Sequence, residues 1–331
     1  MKPTIYDVAK QAGVSIATVS KVLNKTGKIS EKTRQNVQQV MKELNYFPSA
    51  VATALTGKKT DTIGVLIPDV SNPFFAEMSR RIEDQAGDKG ISVVICSTDY
   101  SAEKEARYVQ LLLRKQIDGF IVSSGFQSRD LIASLQKEKV PLVMMAQHDP
   151  ELLVPTVSVD DYRGGYEAMQ HLLSLGHRIV GVIGEKVHSS NLRLHGCRDA
   201  CIASSCELSE DLIVRVPTTV EDGKAAAIEL LQRDHRPTAI FACNDLLAIG
   251  VYHAARELHL QVPDQLSIVG FDDTILARTT VPVLTTVSQP TKAMADKLLD
   301  ILLQERVPQP ASPEHVLFPP TLVVGESTTS P

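Results

Sequence analysis

The 331-residue chain has no tryptophan, and aromatic residues make up only 5% of it. Stacking on a flat ligand therefore falls to phenylalanine and tyrosine. Five cysteines without a paired spacing exclude a scaffold built on disulfides. No run approaches the roughly 18 apolar residues that a membrane helix needs. The N-terminus MKPTIYDVAKQAG lacks the apolar core of a secretory signal, so a cytoplasmic location is expected. G-x-G-x-x-G, Walker A, G-x-S-x-G and H-E-x-x-H are all missing, which removes the common signatures of dinucleotide, nucleotide, ester and metalloprotease chemistry. No enzyme, metal or cofactor is expected.

What remains is ample for folding. Hydrophobic residues make up 43% of a chain long enough for two or three domains. The formal charge of −5 hides an asymmetry. Residues 1–60 hold ten lysines and arginines against three acids, a formal +7, while the remaining 24 bases and 36 acids give −12. A basic head on an acidic body is the electrostatic pattern of a polyanion binder with a separate module.

The head reads as three short helices. Thr4 and Asp7 have capping-box spacing, followed by Ile5, Val8, Ala9 and Ala12 at helical intervals. Gly13 breaks that helix. Ser15 can cap a second with Val19, Val22 and Leu23 inward, and Ser30 a third with Val37, Val40, Met41 and Leu44 inward. Two helices about a tight glycine turn, with a third behind, make a helix-turn-helix. The same pattern also fits a small bundle for protein contact. Pro48 ends the third helix. Residues 49–57, SAVATALTG, read as one alanine-rich helix without a core of its own, marginal in isolation.

From Thr62 the texture changes. TIGVLI, ISVVIC, DGFIVS, PLVMM, IVGVIG, TAIFAC and SIVGF are short β-branched runs separated by amphipathic stretches. Strands buried on both faces and alternating with helices imply parallel sheets in an α/β architecture, here of two lobes with a cleft between them. The proline-rich stretch from Arg306 to Pro320 reads as irregular coil. Cys197, Cys201 and Cys206 fall on one expected helix, the first two a turn apart. They read as small core residues rather than a metal or redox site.

Several segments together, TIYDVAKQAGVSIATVSKVLN, NYFPSAVATAL, IPDVSNPFFAEM, RLHGCRDA, PTAIFACNDLLAIG, SIVGFDD and LTTVSQP, resemble the LacI/GalR family of bacterial transcription regulators along essentially the whole chain. The resemblance implies an α/β chain with an N-terminal helix-turn-helix headpiece and a periplasmic-binding-protein-like (type I) effector domain. The implied boundaries are a headpiece at 1–47, a hinge helix and linker at 48–60, and a two-lobed body at 61–331. Its N-lobe spans about 61–160 and 290–320, and its C-lobe about 161–289 and the tail, joined by three crossovers. It further implies a repressor that binds a pseudo-palindromic double-stranded DNA operator as a homodimer, or as a tetramer made of two dimers.

By position in that family, Ile16, Ala17 and Lys21 would meet base edges, Lys21 donating to guanine and the other two touching thymine methyls. Ser15, Thr18, Ser20, Asn24, Ser30 and Thr33 match backbone-contacting positions, with Tyr6 and Tyr46 as further candidates. Leu55 would be the wedge that the hinge helix inserts into the minor groove, and Ala52 would allow close helix approach. Ser49 and Thr53 depart from the frequent Asn and Arg of the family.

The effector, a sugar or related metabolite, would sit between the lobes. Arg193, Asn244, Asp272 and Gln289, which follow or end expected strands, would hold it, with Phe74 and Phe75 as an apolar wall. Asp69, Thr98 and Asp99 are weaker candidates, and Asp160 and Asp161 read as helix caps. The ring-stacking aromatic of several sugar-binding relatives has no counterpart near Thr218 and Thr219, and Ala146-Gln147 replaces a frequent acid. His195 beside Arg193 reads as a positioning residue. An alternative is the catabolite-control branch of the family, in which a phosphorylated carrier protein acts as corepressor, here docking near Arg80 and Arg81.

Overall fold

The computed structural model describes residues 3–23, 26–46, 60–146, 152–304 and 313–331. The expected hinge helix and Leu55, as well as Asn24, Ala52 and Gln147, lie outside these residues. The chain divides into two compact units, Met1–Thr60 and Asp61–Pro331.

The first unit holds three helices: α1 (Ile5–Ala12), α2 (Ile16–Leu23) and α3 (Glu31–Glu43). The Asp7 carboxylate accepts from both the Thr4 backbone N–H and its hydroxyl at 2.7 Å, closing the first turn of α1. Gly13 ends that helix at φ +65°, a conformation glycine adopts without a Cβ penalty. Ser15 and Ser30 accept from the Thr18 and Thr33 N–H groups at 3.1 and 3.2 Å, capping α2 and α3. Val8, Val19 and Val37, one from each helix, are fully buried together. Asn36 of α3 donates to the Ala12 carbonyl at 2.9 Å and fixes α3 against the end of α1.

The second unit contains two six-stranded sheets. The first runs β2 (Ser92–Ser97), β1 (Thr62–Ile67), β3 (Phe120–Ser123), β4 (Leu142–Met145), β5 (Thr156–Val159) and β11 (His315–Phe318). The second runs β7 (Ile213–Arg215), β6 (Val180–Gly184), β8 (Ala239–Ala242), β9 (Ser267–Asp272), β10 (Thr285–Ser288) and β12 (Thr321–Val323). All pairings are parallel except β12 on β10. The helices of the first lobe are α4 (Pro73–Asp88), α5 (Ala102–Arg114), α6 (Arg129–Lys137) and α12 (Thr291–Gln304); those of the second are α7 (Asp161–Ser174), α8 (His188–Ala203), α9 (Val220–Leu231), α10 (Asp245–Glu257) and the short α11 (Ile275–Thr279). Each sheet has a hydrophobic core on both faces, which explains the unbroken apolar runs of its central strands. The chain passes from one sheet to the other three times: at Asp160, at Gln289–Pro290 and at Pro319–Pro320.

The expected coil from Arg306 to Pro320 is corrected in part, because His315–Phe318 is a strand paired in parallel with β5. Val316 and Phe318 turn toward the core while His315 and Leu317 face out. The prolines bracket this edge strand instead of interrupting its N–H groups. Cys206 likewise lies beyond the end of α8, past Ser205, whose positive φ of +55° terminates the helix.

Two helix pairs in the second lobe pack backbone to backbone. A methyl group added at Gly165 of α7 would overlap the Arg193 carbonyl oxygen, and one at Gly196 of α8 the Tyr162 carbonyl oxygen. Gly223 and Gly250 play the same part between α9 and α10. Rigid backbone on the other side leaves no way to relax. Gly165→Val and Gly196→Val are therefore each expected to lower unfolding free energy by about 3 kcal/mol or more. Gly87→Ala, with open space around it, should change it by no more than about 1 kcal/mol. Urea midpoints of the three variants check this.

Candidate functional site

Two surfaces carry the residues singled out by sequence. In the first unit, α2 buries Val19 and Val22 and turns Ser15, Ile16, Ala17 and Lys21 outward. Ile16 is 40% exposed, an apolar side chain on a helix whose own inner face is already filled. Thr18 and Ser20 are half-buried beside them. The Ser15 and Thr18 hydroxyls share a hydrogen bond of 2.9 Å, as do those of Ser30 and Thr33 at 2.8 Å. The four hydroxyls thus stand at the N-termini of α2 and α3, where exposed backbone N–H groups favour anions. Tyr6 is exposed, whereas Tyr46 packs partly against the core, and burial raises its phenol pKa.

In the second unit, the cleft between the lobes is lined from one side by Asn72, Phe74, Phe75, Tyr100, Ser124 and Ala146, and from the other by Asp161, Glu185, Arg193, Thr218, Asn244 and Asp272, with Gln289 at a crossing. All six residues expected at an effector site come together here. Its free volume is about 40 Å³, room for only a few waters.

Arg193 stands at the centre of this cleft and is only 6% exposed. It lies in the second turn of α8, the helix that follows β6. Its Nε and Nη2 donate to Asp161 Oδ1, both at 2.7 Å, and Nη1 donates to the Cys243 carbonyl. The guanidinium carbon sits 3.5 Å above the centroid of the Phe271 ring. Asp160 alone caps α7, accepting from the Arg163 N–H at 3.0 Å. Asp161, read from sequence as a cap, is instead the buried anchor of Arg193. The reason is the glycine-mediated contact of α7 with α8, which sequence spacing alone does not reveal.

The remaining polar groups form one network. Asn244 caps α10 through the Leu247 N–H at 2.8 Å and donates its amide to Glu185. Glu185, which sequence reasoning missed, also accepts from the Thr218 hydroxyl at 2.9 Å and from Ser190. Gln289 Nε2 donates to Asp272 at 2.7 Å, while its buried Oε1 has no partner among the described residues. Phe74 and Phe75 pack edge to face and belong both to the core and to the cleft wall.

Tyr100 is a second residue that sequence missed. It lies in the cleft beside Thr218 and Glu185, so the first lobe supplies an aromatic where the second has none. It sits at φ +55° after Asp99 at +51° and packs on Gly125, where a Cβ would strike its ring. Asp272 and Asp273 are also left-handed, at +111° and +55°. With Ala146 at +55°, positive φ at five non-glycine residues in or beside one cleft is backbone strain of the kind found at ligand sites.

The cleft has more acids than bases. Burial raises the Asp161 carboxyl against the pull of Arg193. Burial also lifts Asp272 well above its ordinary range despite Arg193, helped by the neighbouring Asp245. Burial and Glu185 push the Tyr100 phenol up to about 12. Arg193 itself is pushed higher still by Asp161, Asp272 and Glu185, which outweigh its desolvation. It stays charged and already commits three of its five N–H groups within the protein.

Comparison with known proteins adds an independent line. Residues 4–49 match the family model for bacterial regulatory proteins, lacI family, and residues 169–328 the model for a periplasmic binding protein-like domain. The chain is similar to the HTH-type transcriptional regulator DegA of Bacillus subtilis (strain 168), with 45% identity over 99% of each chain. It is 37% identical to catabolite control protein A of Priestia megaterium over 88% of each. Its fold resembles a crystal structure of the Lac repressor dimer bound to operator and the anti-inducer ONPF, with a TM-score of 0.88, 29% identity and coverage of 99% and 100%.

One acid behind the cleft makes the electrostatics measurable. Asp245, at the start of α10, accepts from the Thr274 N–H, the Thr274 hydroxyl and the Thr286 hydroxyl at 2.7–2.8 Å. Burial nonetheless pushes its pKa up from 3.8 to about 6. Between about pH 4 and pH 6 the folded chain keeps a proton that the unfolded chain has released. Its contribution to stability therefore falls as pH rises through that window, by on the order of 2 kcal/mol. Asp245→Asn is expected to flatten this part of the stability profile, as read from urea midpoints between pH 4 and pH 7.

Proposed function

The chain belongs to the lacI family of bacterial regulatory proteins, and from that premise we propose that it is a repressor holding a pseudo-palindromic operator as a homodimer, controlled by an uncharged polyhydroxylated metabolite in its cleft. The observation that carries the DNA half is the outward face of α2. Ile16, Ala17 and Lys21 project from a helix whose opposite face forms the core, in a head of formal charge +7. In a major groove Lys21 donates to guanine, while Ile16 and Ala17 select thymine methyls. Ser15, Thr18, Ser20, Asn24, Ser30, Thr33 and Tyr6 take the backbone, with Tyr46 in a lesser part because of its packing. Leu55 wedges the central step, making its deformability part of the specificity.

Pairing of two chains is supported by uncovered apolar surface. Val94 and Ile95 are exposed on β2, an unpaired edge of the first sheet, and Val281 in the second lobe is 92% exposed. An apolar open edge calls for a partner, and a two-fold dimer matches two half-sites.

The effector class follows from charge. Arg193 is committed to Asp161 and Cys243, while Glu185 and Asp272 add further carboxyls. A phosphate or carboxylate on the ligand would meet these acids, whereas hydroxyls find both acceptors and donors. Asp272, Gln289 with its unpartnered oxygen, Asn244 and Glu185 take the hydroxyls, and Phe74, Phe75 and Tyr100 the ring face. The cleft must widen to admit such a ligand, and that movement is what the hinge reads. A phosphorylated carrier protein as corepressor has less support. Arg80 is already paired with Glu83 and Asp84, and Arg81 with Glu77 and the Thr291 hydroxyl.

Selection of bound duplexes from random DNA, repeated with panels of neutral sugars and sugar phosphates, tests both halves. The expected outcome is one enriched pseudo-palindrome whose retention changes with a neutral compound. Lys21→Ala should then weaken operator binding by about 1–3 kcal/mol, with relaxed preference at one position of each half-site. Enrichment of no palindrome under any condition would sink the reading.

A further inference from the structure

Helix α8 ends in a motif that places two thiols side by side. The Cys206 N–H donates to the Cys201 carbonyl at 3.0 Å, and the Ser205 N–H to that of Ile202 at 3.0 Å. These are the two bonds of a Schellman turn, with Ser205 at φ +55° in the left-handed position. In such a turn the residues five apart meet, a place ordinarily filled by a hydrophobic contact. Here both are cysteine. The Cys206 thiol donates to the Cys201 carbonyl at 3.3 Å, so the two cysteines are direct neighbours across the turn. All five cysteines are free. Cys206 is the half-exposed member, while Cys96, Cys197, Cys201 and Cys243 are buried.

We propose that Cys201 and Cys206 are a peroxide-oxidisable dithiol, closing to a disulfide that staples the C-terminal end of α8. The Cys206 thiolate attacks one oxygen of the peroxide, the O–O bond breaks, and a sulfenic acid and water (or an alcohol) result. The Cys201 sulfur then attacks the Cys206 sulfur, losing its proton as hydroxide leaves as water. Two thiols are oxidised and one peroxide is reduced. The order follows from exposure: Cys206 meets the oxidant, and Cys201 is the resolving thiol. Burial and its neighbour push Cys201 up to about 12, so the resolving step is slower than attack by a free thiolate. Cys197 and Cys243 are buried, with their thiols raised by desolvation. Enclosed in the core, they stay reduced. The stapled helix is the one that carries Arg193, so the modification bears on the cleft's anchoring element.

The test treats the folded, full-length protein with hydrogen peroxide, alkylates it under denaturing conditions with iodoacetamide and digests it with trypsin. Residues 199–215 form one tryptic peptide containing both cysteines and should be two hydrogens lighter, unalkylated, and restored by reductant. Cys201→Ser should leave Cys206 as a sulfenic acid trapped by dimedone, and Cys206→Ser should leave Cys201 fully alkylated. Full alkylation of both after peroxide, a Cys197–Cys201 link, or sulfinic acid at Cys206 with Cys201 free would each overturn the proposal.

Discussion

The second unit is organised around the buried ion pair between Arg193 and Asp161. A guanidinium with no partner in an apolar interior is costly, and Arg193 is almost completely enclosed. It is held on three sides: Asp161 at its edge, the Cys243 carbonyl at one nitrogen and the Phe271 ring against its face. Each partner comes from a different element, so the side chain ties α7, the end of β8 and the end of β9 together. The pair forms only because α7 and α8 approach at backbone distance, and Gly165 and Gly196 permit that approach. Small residues, a close helix pair and a buried charge are thus one construction.

The same construction explains why the polar and aromatic groups of the candidate site gather where they do. Asp272 and Asn244 end or follow strands of the second sheet, Gln289 begins a crossing, and Phe74, Phe75 and Tyr100 reach in from the first lobe. Open ends of parallel strands are where α/β proteins bind ligands. Three crossings leave each sheet with both of its cores, so the movement proposed above would shift the lobes as bodies. A ligand in the cleft shifts such an equilibrium only by the difference in its affinity for the two arrangements. The strained backbone at Tyr100 and Asp272 and the Gln289 oxygen, unpartnered among the described residues, are local costs that the hydroxylated ligand proposed above would offset.

The fold was largely legible in the sequence because its strands are short apolar runs and its helices carry visible caps. Thr4, Ser15 and Ser30 mark the helices of the head, and Val8, Val19 and Val37 its core. The motifs around Arg193, Asn244, Asp272 and Gln289 led to one cleft. What stayed hidden depends on contacts between segments distant in sequence. Asp161 reads as a cap until α8 is placed against α7. Glu185 has no motif and gains meaning only from Thr218, Asn244 and Ser190 around it. Tyr100 lies in the other lobe from the Thr218 region whose missing aromatic it answers. The strand at His315–Phe318 was masked by flanking prolines that in fact delimit it.

A double-mutant cycle on the central pair tests this account most directly. Arg193→Met and Asp161→Asn, singly and together, are compared by urea denaturation at neutral pH. Each single substitution leaves an uncompensated group and should cost about 3–5 kcal/mol. The double variant should be no less stable than either single one, a coupling of about 3 kcal/mol or more. Strictly additive losses would contradict the pair's central place in the structure.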